Sequence, residues 1–136
     1  MVPSCAHHCR LWGILMAGSE KTFETKVKKF LMDQGCWILK TWSNGIQRQG
    51  VPDLLVCCNG YFVGIELKAD NGKPSELQLW NIRKIRESGG FGIVLYPHDF
   101  YMLQDLIFDL KKDVDVRFWH MHQSFFDRKE VNHESV

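Results

Sequence analysis

The chain has 136 residues, enough for one hydrophobic core and too few for two ordinary domains. Its 45% hydrophobic and 24% charged residues are globular values that exclude disordered and fibrous classes, and no apolar run approaches the roughly 18 residues of a membrane span. The formal net charge of +1 excludes a wholesale polycation but hides an asymmetry: residues 20–90 carry eleven basic and eight acidic groups, residues 91–136 five and eight, so the first two-thirds is where a polyanion would be handled.

In chain order, residues 1–18 show no sustained periodicity and read as a disordered N-terminal extension; Met16, followed by Ala-Gly-Ser, also reads as a natural start. The apolar stretch from Leu11 to Met16 is too short for a secretory leader. Within this segment Cys5-Ala-His-His-Cys9 offers four soft ligands, but a zinc site needs a second such pair, and only His120 and His122 qualify. Five cysteines, an odd number with Cys57 and Cys58 adjacent in an apolar run, do not form a disulfide framework and point to a reducing cytoplasm.

Ser19 is the expected N-cap of a first helix reaching about Gln34, with Gly35 as its stop. Phe23, Val27, Phe30 and Leu31 form one stripe at helical spacing. Residues 36–42 read as a strand and residues 43–50 as a polar loop. Two apolar runs then flank Asn59-Gly60, a strong hairpin signal because a type I′ turn needs positive φ at both central residues. Ser75 with Gln78 makes a Ser-x-x-Gln capping box for a second helix, which Gly89-Gly90 ends. Residues 91–96 read as a short buried strand stopped by Pro97, residues 99–112 as a third helix, and residues 114–122 as a last strand. The order is αβββαβ followed by an αβ appendage, with residues 19–97 as the core and 98–136 as appendage and tail.

A two-residue turn at 59–60 sets the hairpin register: Cys58 faces Tyr61, and Asp53 faces Glu66 on one side of the sheet, with Lys68 projecting from that same side. Two carboxylates so close repel unless a positive group lies between them, and a hard divalent cation answers that problem. The alternative is a solvated acid pair bridged by Lys68, and a single bulge would turn Asp53 to the other face. The rest of the hairpin is apolar on both faces, so both are expected to be covered.

Gly50-Val-Pro-Asp53, followed thirteen residues later by Glu66-Leu-Lys68, resembles the PD-(D/E)xK nuclease signature. With Glu24 on the first helix and Gly-Lys-Pro-Ser-Glu-Leu-Gln78, the stretch from Ser19 to Pro97 resembles a stand-alone virus-type replication–repair nuclease (VRR-NUC) domain, of a kind commonly encoded by bacteriophages. The resemblance implies an α/β fold with a mixed sheet flanked by helices. It implies Mg²⁺ or Mn²⁺ held by Asp53, Glu66 and the backbone carbonyl of Leu67, with Glu24 reaching the site directly or through a bound water, and with Lys68 orienting or deprotonating the attacking water. Gln78 has two readings that are not exclusive, a cap for Ser75 and a lining of the active site. Glu24 also has a plain reading, an ion pair with Lys28 at i+4, and Glu20 is its rival one turn earlier.

Phosphate contacts are expected from Arg48, Lys73, Lys28 and Arg83, with Lys26, Lys29, Lys84 and Arg86 nearby. No sequence-reading module is recognisable, which favours recognition of shape. The expected function is a metal-dependent DNA endonuclease selective for four-way junctions or other branched DNA, acting in a bacterial host's cytoplasm if phage-encoded. A restriction-type or nicking enzyme and a non-catalytic nucleic-acid-binding subunit are the alternatives. Symmetric junction cutting implies a homodimer, for which Trp37, Trp42, Trp80 and Phe118-Trp119 could supply an interface.

Overall fold

The computed structural model describes residues 20–42 and 48–127; the cap expected at Ser19 and the Cys5–Cys9 cluster lie outside the described residues. Helix α1 (Glu20–Asp33) buries Phe23, Val27 and Leu31, the expected stripe, with Phe30 half-buried beside it. Gly35, at φ +78°, ends it in the left-handed conformation, and the Cys36 N–H closes back on the Leu31 carbonyl at 3.0 Å.

Strands β1 (Trp37–Lys40), β2 (Leu54–Cys58) and β3 (Tyr61–Leu67) run antiparallel, and β4 (Phe91–Leu95) lies parallel to β3, in the order β1-β2-β3-β4. The hairpin register is the expected one, from Cys58 opposite Tyr61 to Leu54 opposite Ile65, and Asn59 and Gly60 both have positive φ, 50° and 84°. Between β3 and β4 the chain crosses over through α2 (Glu76–Glu87). Gly64 and Gly92 sit side by side on β3 and β4, and a Cβ on Gly92 would lie 2.5 Å from the Ile82 carbonyl oxygen. These two glycines form a flat seat that lets α2 lie close on the sheet. The opposite face packs Leu54, Val56, Val63, Ile65 and Leu67 against α1 and α3 (Phe100–Lys112).

Two expectations about the secondary structure and its coverage fail here. The hairpin is not covered on both faces along its length, because α2 shields only the β3–β4 half of its side. Phe62 stays 44% exposed and Cys57 is exposed, and on β1 Trp37 is 60% exposed. Second, residues 114–122 are not a strand: Val116–His122 is helix α4, continued by a 3₁₀ turn at Gln123–Phe126. Asp113 and Asp115 take left-handed backbone conformations that reverse the chain. Trp119, Gln123 and Phe126 then fall inward at helical spacing, so packing overrides the strand propensity of a short aromatic run. The appendage thus covers the free edge of β4. Gln123, buried, accepts from the Gly92 N–H at 3.0 Å, while Arg86 donates to the Gly92 carbonyl at 2.8 Å and grips both carboxylate oxygens of Asp127. Arg86 is therefore a structural residue rather than a member of the expected phosphate-binding group. Trp119 is likewise buried, donating to Asp109 at 2.8 Å, and drops out of the expected interface.

Candidate active site

The acids gather where the hairpin opens, one residue beyond the last ladder pair. Thr41 ties this end together: its N–H donates to the Asp53 carbonyl at 2.9 Å and its hydroxyl to the Pro52 carbonyl at 2.8 Å. Asp53 turns one carboxylate oxygen, Oδ2, onto the Leu67 N–H at 2.9 Å, and its Oδ1 lies 3.7 Å from the Lys40 ammonium. Glu66, from β3, is only 1% exposed. Its Oε1 accepts from the Gln78 amide at 2.6 Å and lies 3.1 Å from the Lys68 ammonium, while its buried Oε2 has no partner among the described residues.

Gln78 makes two contacts at once. Its Oε1 accepts from the Ser75 N–H at 2.8 Å, completing the capping box, and its amide nitrogen reaches Glu66. The cap therefore fixes the side chain that fixes Glu66. This link depends on the close seat of α2 over Gly64 and Gly92.

Glu24 arrives from the α1 layer and does not touch the other acids. Its two oxygens are held by Lys28 at 3.2 Å and by Lys40 at 2.9 Å, so the expected i+4 pair is present. Lys40, from β1, also lies 3.7 Å from Asp53 Oδ1 and links Glu24 to the hairpin acids. No motif flags it, and it is the residue sequence reasoning missed. The only sequence signal is a lysine in an otherwise apolar strand. Among the described residues no three His, Cys, Asp or Glu side chains group closely enough to hold a metal ion.

Burial, and after it the charge of Asp53, raises the Glu66 pKa to about 7, against the hydrogen bond and charge of Lys68. Partial burial also opposes ionisation of Glu24, but Lys40 and Lys28 outweigh it and hold its carboxyl below the usual range. Lys40 itself is shifted upward: burial opposes its charge, and Glu24 and Asp53 more than compensate. The Cys36 thiol is pushed up to about 12 by burial and the neighbouring Cys58, which makes it a poor nucleophile.

The Glu66 shift has a measurable consequence. A carboxyl raised from 4.5 to about 7 in the folded state binds its proton more tightly there than in the unfolded chain, so stability falls as pH rises through that window. The metal-free parent is expected to lose roughly 2–3 kcal/mol relative to Glu66→Gln between about pH 5 and 8. Denaturant titrations of both proteins in EDTA check this; parallel pH profiles would contradict it.

Of the expected phosphate ligands, Lys28 is engaged by Glu24, whereas Arg48 and Arg83 are exposed. The Arg48 guanidinium lies 5.1 Å from the centre of the Trp80 ring, and the Lys84 ammonium 5.6 Å from it. Together they give the α2 flank a basic, aromatic surface. Lys73 lies exposed in the turn before α2.

Comparisons with known proteins agree with this architecture. The family model described as archaeal Holliday junction resolvase (Hjc) matches residues 17–89, more than half the chain. A solved structure described as a VRR_NUC domain superposes with a TM-score of 0.52 at 25% identity, covering 78% of this chain and 98% of that one. No curated protein matches the chain.

Proposed function

Because the chain belongs to the archaeal Holliday junction resolvase family and is a nuclease acting on DNA, we propose that it is a metal-dependent endonuclease that cuts four-way junctions as a homodimer. The observation that supports the metal is the orphaned Oε2 of Glu66, a buried carboxylate oxygen that costs free energy unless something positive meets it. The donor set fits Mg²⁺ or Mn²⁺: Glu66, Asp53 through its Oδ1, and the Leu67 carbonyl supply hard oxygens, with Glu24 poised behind Lys40. When bound there, the cation would neutralise charge on the phosphorane-like transition state and make water a better nucleophile.

The chain's own residues do the rest. Lys68, 3.1 Å from Glu66, orients the attacking water and, in its neutral amine form, takes its proton. Gln78 keeps Glu66 from rotating. Arg48, Lys73 and Arg83 hold phosphates on either side of the cut, and Trp80 with its two cations broadens that surface.

A four-way junction is two-fold symmetric, so paired cuts need two sites. The uncovered half-face of the sheet, with Trp37, Leu39 and Phe62 exposed beside the edge strand β1, suits a second copy of the chain. Trp37→Glu is expected to leave a monomer in sedimentation equilibrium and to uncouple the paired cuts.

Competition binding of a four-way junction against a linear duplex of the same arm sequences tests the substrate assignment. Preference for the junction by at least about tenfold, with a steep inverse salt dependence, is expected. Arg48→Ala and Lys73→Ala should weaken binding alike on all sequences and flatten the salt slope. A base-sequence preference lost on either change would favour a restriction-type enzyme instead.

A further inference from the structure

Lys40 stands in a position that the chemistry of phosphodiester cleavage does not require. Asp53 has one oxygen tied to the Leu67 N–H, so Oδ1 is the oxygen left for a ligand, and it is this oxygen that faces the Lys40 ammonium at 3.7 Å. The same ammonium holds Glu24 at 2.9 Å. Its side chain is largely sheltered, 23% exposed, so solvent screens it only in part. We propose that Lys40 is the resident cation of the DNA-free site: it fills the electrostatic well between Glu24 and Asp53, and a divalent ion enters by displacing it from Asp53. This rests on the metal-site reading above.

The contrast with the two neighbouring lysines carries the argument. Lys28 pairs with the other oxygen of Glu24, while Lys68 pairs with Glu66. Among the described residues, Lys40 alone bridges the α1 acid and a hairpin acid. A divalent ion on Asp53 Oδ1 would sit within a few ångströms of a monovalent charge, and repulsion at that range lowers its affinity substantially even when screened. Lys40 thus sets how weakly the free protein holds metal, which ties loading of the site to the arrival of DNA phosphates that can take the ammonium.

The test is calorimetric titration of Mn²⁺ into the DNA-free full chain. Lys40→Met and Lys40→Gln are expected to bind Mn²⁺ at least about tenfold more tightly than the parent. Lys40→Arg, which keeps the charge, should stay near the parent, and Lys28→Met should change affinity by less than about threefold. Asp53→Asn in the parent or the Lys40→Met background should abolish the binding. Thermal melts of each variant without metal separate these effects from lost folding, and the neutral pair of differing polarity guards against one that folds poorly. If binding depends on Asp53 but is unchanged or weaker in both neutral variants, Lys40 is a structural clamp and the inference falls alone. If neither parent nor variants bind Mn²⁺, the metal site itself falls, and the inference with it.

Discussion

Asp53→Asn is expected to slow DNA cleavage at least about 1,000-fold, roughly 4 kcal/mol of barrier, while the protein stays folded. Asparagine keeps a carbonyl oxygen where Asp53 Oδ2 accepts from the Leu67 N–H at 2.9 Å, so the end of the hairpin retains its tie. What is lost is the negative charge at Oδ1, and with it a hard anionic ligand. Removing that charge also relieves the repulsion that helps to raise Glu66. The metal-free melting temperature should therefore be unchanged or slightly higher. A drop of several kcal/mol in stability would identify Asp53 as a structural anchor. Asp53→Ala is the less informative variant, because it would orphan the Leu67 N–H as well.

Lys68→Arg and Lys68→Ala are both expected to cut at least about 100-fold more slowly, some 2.7 kcal/mol of barrier, with DNA binding nearly intact. Two roles diverge at this residue. If Lys68 only balances the charge of Glu66, 3.1 Å away, arginine would serve as well. If it positions and deprotonates water, the planar guanidinium with its high pKa fails. The side chain projects from just beyond the end of β3, so folding should survive either change. Single-turnover cleavage beside equilibrium binding separates the cases. An arginine variant within a few-fold of the parent would leave Lys68 as an electrostatic neighbour.

The hairpin was legible because its signals are local. Asn59-Gly60 admits one turn type, and that turn sets every pairing back to Leu54. Ser75 and Gln78 likewise announce a helix start within four residues. Other features depend on contacts between distant segments and leave little trace in the chain. Apolar residues occupy both phases of residues 36–42, so no clean alternation says that Lys40 turns toward Glu24. Helix α4 reads as a strand in the sequence because Val116, Phe118 and Trp119 favour strands in isolation, and the buried seats of Trp119, Gln123 and Phe126 select a helix. The second role of Gln78 depends on Gly64 and Gly92 pairing across β3 and β4, which makes room for α2. Coverage of the β4 edge is equally nonlocal, since Gln123 and Asp127 lie more than thirty residues from Gly92 and Arg86.

On the proposed function, the acids at the open end of the hairpin act through a divalent cation on branched DNA. Cleavage of a labelled four-way junction and of its linear arm duplex, with Mg²⁺, with Mn²⁺ and with EDTA, tests it most directly. Paired cuts in the junction that require the cation, vanish in EDTA and return when Mn²⁺ is restored are the expected result. Undiminished cutting in EDTA would contradict the account.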